Sequence, residues 1–350
     1  MSTVHAPLMP GDSDSTTHPD HPVVLEVRGL GVDIRTEQGW VGIVEDVDLT
    51  IRRGETLGLV GESGSGKTVT SLAVMRLLPP NARIRGSIRL NGREIGSLPP
   101  RRMDAIRGVE MAMIFQEPRR SLNPAFTVGE QVAESVRRHK RASRREAWAR
   151  AVELFELVGI PDPHRRASAY PHEFSGGMCQ RVMLAAALAC EPSVLIADEP
   201  TTALDVTVQR QVLELLHDLQ QRLGLAVLLI THDLGVVAEV CDRAAVMYAG
   251  RIVEQGQVTD LFDNPLHPYT AGLLHSMPDP ARHSDRMAAI PGTVPPPHAF
   301  PSGCRFHPRC PFAEHPRCST TQIPLRSVTT HHSARCVRAG ELELSEAFHE

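Results

Sequence analysis

Gly61-Glu62-Ser63-Gly64-Ser65-Gly66-Lys67-Thr68 constrains this chain more than any other stretch. It follows a compact apolar run, Thr56 to Val60, and opens the segment Thr68 to Leu78, which Pro79 and Pro80 end. The spacing therefore predicts strand, tight loop and helix in that order. That context suits a loop that cradles phosphate. The glycines Gly61, Gly64 and Gly66 let the backbone curl so that several N–H groups, those of Ser63 and Ser65 among them, point at the β- and γ-phosphates of a nucleotide, and the helix start adds partial positive charge. Lys67 brings a full charge to the same oxygens, and the Thr68 hydroxyl can ligate Mg²⁺. The site as read is one for ATP with Mg²⁺.

A second stretch fits the first. Val194-Leu195-Ile196-Ala197 reads as a buried strand that ends in Asp198 and Glu199. Open α/β sheets bind ligands at the carboxyl ends of their strands, so both acids arrive where a nucleotide would lie. Successive strand residues point to opposite sides, which predicts two tasks. Asp198 would hold Mg²⁺, and Glu199 would orient or deprotonate the attacking water.

Around these motifs the chain alternates strands and helices. Val23 to Ile51 gives short β-type runs between glycine-containing turns, which predicts an antiparallel flank. Arg101 to Ala189 reads largely as helix, with one β-like run at Met111 to Phe115, and predicts an inserted helical subdomain. Then come Val194 to Ala197, a helix over about Val206 to Leu223, Ala226 to Ile230, and a strand pair, Ala244 to Tyr248 and Arg251 to Glu254, about Ala249-Gly250. The expected fold class is α/β, a mainly parallel sheet with an antiparallel flank. From Pro265 the composition shifts to Pro and His, Pro278 and Pro280 included. The expected organisation is a disordered lead-in over 1–22, an ATPase domain over 23–264 with its helical insert at about 101–190, a small C-terminal domain over 265–340 and a tail over 341–350.

Composition excludes several classes. A formal net charge of −4 over 350 residues argues against a surface built to hold nucleic acid. The longest apolar stretches, such as Val182 to Cys190, fall far short of the roughly 20 residues that a membrane-spanning helix needs, so membrane association would go through a partner. The N-terminus lacks the charged start and apolar run of a signal peptide, which places the protein in the cytoplasm as an expectation. In that reducing compartment the seven cysteines are not expected to pair.

Phe174-Ser175-Gly176-Gly177-Met178, followed by Cys179-Gln180-Arg181, resembles the signature of the ABC transporter ATPases. Ser175 and the amides of Gly176 and Gly177 stand at a helix start and can hold a phosphate. The resemblance implies that this second cradle reaches across a dimer to the partner's ATP. The other elements of the family follow in order. Gln116 resembles the glutamine that touches Mg²⁺ and the attacking water and signals to the transmembrane partner. Asp205 in Ala203-Leu204-Asp205 resembles the aspartate that acts in trans at the partner site. His232, after Leu229-Ile230-Thr231, resembles the histidine that contacts the γ-phosphate. Glu199, His232 and Gln116 are thus the expected catalytic residues, and Thr68, Gln116 and Asp198 the expected Mg²⁺ ligands. Met178 departs from the general signature, which has Gln there. For the aromatic residue that stacks on adenine, Trp40 lies in the right stretch, with a core or turn tryptophan the competing reading.

Cys304-x5-Cys310-x7-Cys318-x17-Cys336 gathers four thiols in a Pro-rich extension with little apolar material to fold around. The spacing matches neither structural zinc pairs nor common ferredoxins, and leaves a metal centre and unrelated buried thiols both open. His267-Pro268-Tyr269-Thr270, Leu273-Leu274, Pro291-Gly292 and Gly303 to Pro311 resemble the C-terminal domain of the oligopeptide and dipeptide permease ATPases, as does Tyr170 to Met178. This likeness covers about residues 23 to 340. It implies a [4Fe-4S] cluster on the four cysteines, in a structural or sensing role, since nothing in the sequence places it beside the ATP site. It also implies a peptide importer with two transmembrane permease subunits, a second and paralogous ATPase subunit, and an external binding protein, with this chain peripheral on the cytoplasmic face of the cell membrane. Two other readings stand beside it: the same motor serving nickel or another solute, and a soluble ABC ATPase in iron–sulfur assembly.

Overall fold

The structure, a computed structural model, describes residues 21–202, 204–277, 290–320 and 322–344. Most of the expected lead-in, the last residues of the expected tail, Pro278, Pro280 and Ala203 lie outside the described residues. Among the described residues the strands are β1 (Val23–Thr36), β2 (Gly39–Arg52), β3 (Thr56–Val60), β4 (Ala82–Leu90), β5 (Arg93–Glu94), β6 (Met111–Ile114), β7 (Val194–Asp198), β8 (Ala226–Thr231), β9 (Arg243–Tyr248), β10 (Arg251–Gln257), β11 (Arg326–Ser327) and β12 (Ser333–Ala334).

One sheet has the order β2-β1-β4-β5 and is antiparallel throughout. Where the sequence suggested several short strands between turns, β1 and β2 are two long ones. The glycines sit at irregularities of the ladder instead, with the register shifting between Val27 and Leu30 and again before Val32. Asp48 accepts the Gly29 N–H at 2.6 Å, supplying a partner where the ladder is broken.

The second sheet runs β11-β12-β10-β9-β3-β8-β7-β6. Strands β9, β3, β8, β7 and β6 are parallel, and β10 returns antiparallel on β9. Every residue of β3, β7 and β8 is buried. Both faces are therefore covered: Leu195, Ala197, Val227 and Leu229 pack with the helical layer, while Val194, Ile196, Leu228 and Ile230 pack with the antiparallel sheet. Continuous apolar runs rather than alternation are what such strands require. The helical layer comprises Val128–Lys140, Arg144–Leu157, Gly176–Leu188 and Val206–Leu223. Ser143 and Glu146 form a reciprocal cap at the start of the second of these.

The β9–β10 turn brings the sheet to the phosphate loop. Ala249 and Gly250 both have positive φ, at 45° and 81°, as a two-residue hairpin demands. A β-carbon at residue 250 would lie 2.1 Å from the Ile43 carbonyl, so only glycine fits. Its N–H donates to the Ser65 carbonyl at 2.7 Å.

The C-terminal segment solves its shortage of apolar residues by building onto the sheet edge. Strand β12 pairs with β10, and β11 with β12. Tyr269 and Phe306 pack around Tyr248 of β9, with ring centroids 4.7 and 5.2 Å away. Glu254 of β10 is wholly buried and accepts the N–H groups of Leu266 and His267 at 2.7 and 2.9 Å, with His332 Nε2 at 2.7 Å. Among the described residues no helix is long and apolar enough to cross a membrane.

Candidate active site

The loop from Gly61 to Gly66 joins β3 to the helix Lys67–Val74. Gly61 has no room for a side chain, since a β-carbon would stand 2.1 Å from the Met247 carbonyl. Lys67 is buried, and its Nζ donates to the carbonyls of Gly61 and Glu62 at 2.7 and 3.0 Å. Burial draws its pKa below the ordinary lysine value, and the carboxylates of Glu199, Asp198 and Glu62 only partly oppose this. Its ammonium is thus held inside the curl of the loop, among acids that favour its charge.

Thr68 donates its hydroxyl to Asp198 Oδ1 at 3.3 Å. Burial pushes the Asp198 carboxyl up to about 6, against the hydrogen bond from Thr68 and the charge of Lys67. A carboxylate so poorly solvated has much to gain from a cation. The hydroxyl and carboxylate together offer the hard oxygen donors that Mg²⁺ takes, beside a loop that can present phosphate. The residues present therefore fit both ATP and Mg²⁺.

Glu199 lies just past the end of β7 in the left-handed region, at φ 46°. Strand alternation was expected to separate it from Asp198; the chain instead leaves the strand there, and this turn aims the side chain. A side chain in that region costs about 1–2 kcal/mol. The Glu199 N–H donates to Ile230 O at 2.9 Å, tying the turn to β8. Its carboxylate gathers three partners. Gln116 Nε2 donates to Oε2 at 2.7 Å, Thr202 Oγ1 donates to the same oxygen at 2.9 Å, and His232 Nδ1 stands 3.3 Å from Oε1. Burial raises this carboxyl, but the hydrogen bonds from Thr202 and His232 and the charges of His232 and Lys67 outweigh it and hold it below the usual range. Glu199 is accordingly ionised at neutral pH and able to accept a proton.

The structure thus brings Lys67, Thr68, Asp198, Glu199, Gln116 and His232 to the ends of neighbouring parallel strands. Ser175, Gly176, Gly177 and Asp205 lie instead at the starts of two helices. Ser175 caps the helix Gly176–Leu188 by accepting the Met178 N–H, and Asp205 caps Val206–Leu223 by accepting the Val208 N–H. Those helices meet tightly: a β-carbon on Gly177 would lie 2.4 Å from Val208 Cγ1. Met178 packs its side chain against the helical core. Trp40 is half exposed on the β1–β2 hairpin, with the Arg83 guanidinium 4.8 Å from its ring. It is therefore no core residue.

Sequence reading missed Thr202, whose signal was only a hydroxyl three residues beyond Glu199. Nothing in the sequence linked the cysteine region to the nucleotide loop, and the structure does so through one residue. Arg309, next to Cys310, pairs with Glu62 through Nη1–Oε2 at 2.7 Å and Nη2–Oε1 at 3.0 Å. Cys304, Cys310, Cys318 and Cys336 line one narrow, largely apolar pocket with Phe312, Ile323 and Leu342. Burial and mutual repulsion push Cys304 and Cys310 up to about 11 and Cys336 up to about 12, so these are neutral thiols. The N–H groups of Glu314 and Arg338 donate to the sulfurs of Cys318 and Cys336 at 3.4 Å, and His267 Nε2 lies 3.9 Å from Cys304 Sγ. Among the described residues no three His, Cys, Asp or Glu side chains are grouped to hold a metal ion.

Known proteins resemble this chain in both sequence and fold. The family described as "ABC transporter" matches residues 44–202, and "Oligopeptide/dipeptide transporter, C-terminal region" matches residues 253–318. A Brucella melitensis protein provisionally named as a peptide import ATP-binding protein is 52% identical over 314 residues, covering 89% of this chain and 94% of that protein. A Brucella ovis protein with the same description is 50% identical over 332 residues, covering 91% and 98%. Among solved structures, a dimeric ATP-binding cassette in a post-hydrolysis state with ADP and phosphate aligns with a TM-score of 0.60 at 26% identity, covering 67% of this chain and 98% of that one. The cbiO1 subunit of a Clostridium perfringens ABC transporter complex aligns with a TM-score of 0.59 at 26% identity, covering 69% and 91%.

Proposed function

This chain belongs to the ATP-binding subunits of ABC transporters, in the branch that drives peptide import, and from that membership we propose how its residues divide the work. It couples ATP hydrolysis to transport and works with transmembrane permease subunits. Lys67 and the amides of the loop 61–66 hold the nucleotide phosphates. Mg²⁺ bound with ATP offsets phosphate charge, and Thr68, Asp198 and the free amide oxygen of Gln116 are the donors that would hold it.

Glu199 carries the hydrolytic step. Its carboxylate takes a proton from water as the water oxygen bonds to the γ-phosphorus and the bond to the β-phosphate oxygen breaks. Gln116 and Thr202 fix Oε2, so the carboxylate meets water in one orientation. His232 steadies Oε1 through one ring nitrogen and keeps the other for phosphate. Ser175, Gly176, Gly177 and Asp205 serve the ATP of a second ATPase subunit, a paralogue of this chain. The domain from 23 to 264, with its insert at about 101–190, is the motor, and 265–340 forms the C-terminal domain. The assembly includes an external binding protein, with this chain on the cytoplasmic side of the membrane.

The observation that carries this reading is the convergence of Gln116, Thr202 and His232 on one carboxylate. Replacing Glu199 by Gln tests it. Turnover should fall by about 10³-fold while ATP still binds, since a general base contributes roughly 10²–10⁴-fold. Hydrolysis within tenfold of the parent would remove Glu199 from the role.

The four cysteines fit an iron–sulfur cluster. Their pocket is shared, shielded and supplied with N–H donors to sulfur. A [4Fe-4S] cluster takes one cysteine thiolate on each of its four irons, which suits four thiols that line one pocket. Such a cluster would cross-link a segment with few apolar residues of its own. Loading must displace the thiol protons, so retention should weaken in acid. Anaerobically purified protein should contain about four iron and four sulfide per chain. Stoichiometric zinc without iron would overturn the assignment.

A further inference from the structure

Glu62 is the only acidic residue in the loop 61–66, and nothing in the hydrolytic step uses it. A carboxylate there is a liability, because the loop must accept a polyanionic nucleotide. The C-terminal segment grips it twice. Arg309 forms the bidentate pair with the side chain, and Tyr269 Oη accepts the Glu62 backbone N–H at 2.9 Å. Arg309 has its own scaffold: its side chain is 7% exposed and it donates to the carbonyls of Pro291, Ile290 and Gly292 at 2.8, 3.3 and 3.3 Å. The guanidinium also lies 5.7 and 5.8 Å from the ring centroids of Tyr248 and Phe306. A cation held this firmly can fix its partner. The peptide carbonyls on either side of the Glu62 N–H, those of Gly61 and Glu62, are the ones that hold Lys67.

We propose that Arg309 is a positioning residue for ATP: by pairing with Glu62 it neutralises the phosphate loop's own carboxylate and, together with Tyr269, fixes the peptide that holds Lys67. The cysteine-bearing segment thereby sets nucleotide affinity, with or without a cluster in its pocket. The proposal rests on the assignment of residues 61–68 as the phosphate site.

The test is Mg-ATP affinity of the full-length chain, read by displacement of a fluorescent ATP analogue, alongside kcat and KM. Arg309→Gln should weaken ATP binding about tenfold and raise KM with kcat within about twofold, the scale expected for one charge-assisted hydrogen-bonded pair. Removing the orphaned carboxylate should reverse this: Arg309→Gln with Glu62→Gln should bind ATP within about threefold of Glu62→Gln alone. Arg309→Lys keeps the charge but loses the bidentate fork, and should bind ATP more tightly than Arg309→Gln and less tightly than the parent. A purely structural role predicts the reverse, with the double variant no better than Arg309→Gln. That outcome overturns the proposal, as does an Arg309→Gln affinity within twofold of the parent or an Arg309→Lys loss as deep as that of Arg309→Gln. Lys67→Ala separates the premise. If it binds ATP like the parent, the phosphate-site assignment fails whatever Arg309 does.

Discussion

The nucleotide site and the cysteine pocket both gather residues from distant parts of the chain, yet they are assembled by opposite means. In the first, a parallel sheet with both faces buried delivers side chains to one edge, and each arrives at a strand end in a short local motif. Lys67 follows β3, Gln116 follows β6, Glu199 follows β7 and His232 follows β8. In the second, four cysteines sit on irregular chain with little regular structure of its own, closed by borrowed strands and aromatic packing on β9 and β10. The sheet fixes the strand ends from which Gln116, Glu199 and His232 reach the site. The pocket has no such frame, and a chemical cross-link would matter far more there.

That contrast can be broken or sharpened by substitution. The largest effect after loss of Glu199 belongs to His232: His232→Ala should lower kcat by about 10²-fold with little change in thermal midpoint, measured by phosphate release and by unfolding in the same preparation. A comparable loss of stability would show that the catalytic edge needs its side chains for folding, erasing the difference between the regions. Next comes the pocket. Cys310→Ser should lower the thermal midpoint by roughly 5 °C and open the chain beyond residue 265 to protease, while ATP affinity falls by no more than about tenfold. If the midpoint and protease pattern stay put, the pocket is as self-supporting as the sheet. The smallest effect tests the tight helix pair: Gly177→Ala should cost about 1–3 kcal/mol in urea unfolding, and Val208→Ala in the same chain should recover part of it. An unchanged midpoint would mean that these helices separate easily.

The same contrast explains what could be read in advance. Gly61 to Thr68, Val194 to Glu199 and the run into His232 declare themselves because backbone curvature, buried strands and strand-end chemistry are local properties of the sequence. Thr202 escaped notice because one hydroxyl in a turn carries no pattern, and because Glu199 is aimed by its positive φ rather than by strand alternation. The pairing of Arg309 with Glu62 spans 247 residues, and no local rule connects them. Glycines in the first strand pair read as turns, since a bulge and a turn ask for the same residue. The tail read as short of core because Tyr248, its central packing partner, belongs to the sheet.

The central claim is that Lys67 and its loop hold ATP for hydrolysis beside Glu199. Steady-state phosphate release from Mg-ATP by the assembled transporter carrying either the parent chain or Lys67→Ala tests it most directly. The account predicts turnover in the first and a loss of at least about 10²-fold in the second at the same ATP concentration, since the lysine charge and its hydrogen bonds meet the phosphates directly. Equal phosphate release from both would contradict it.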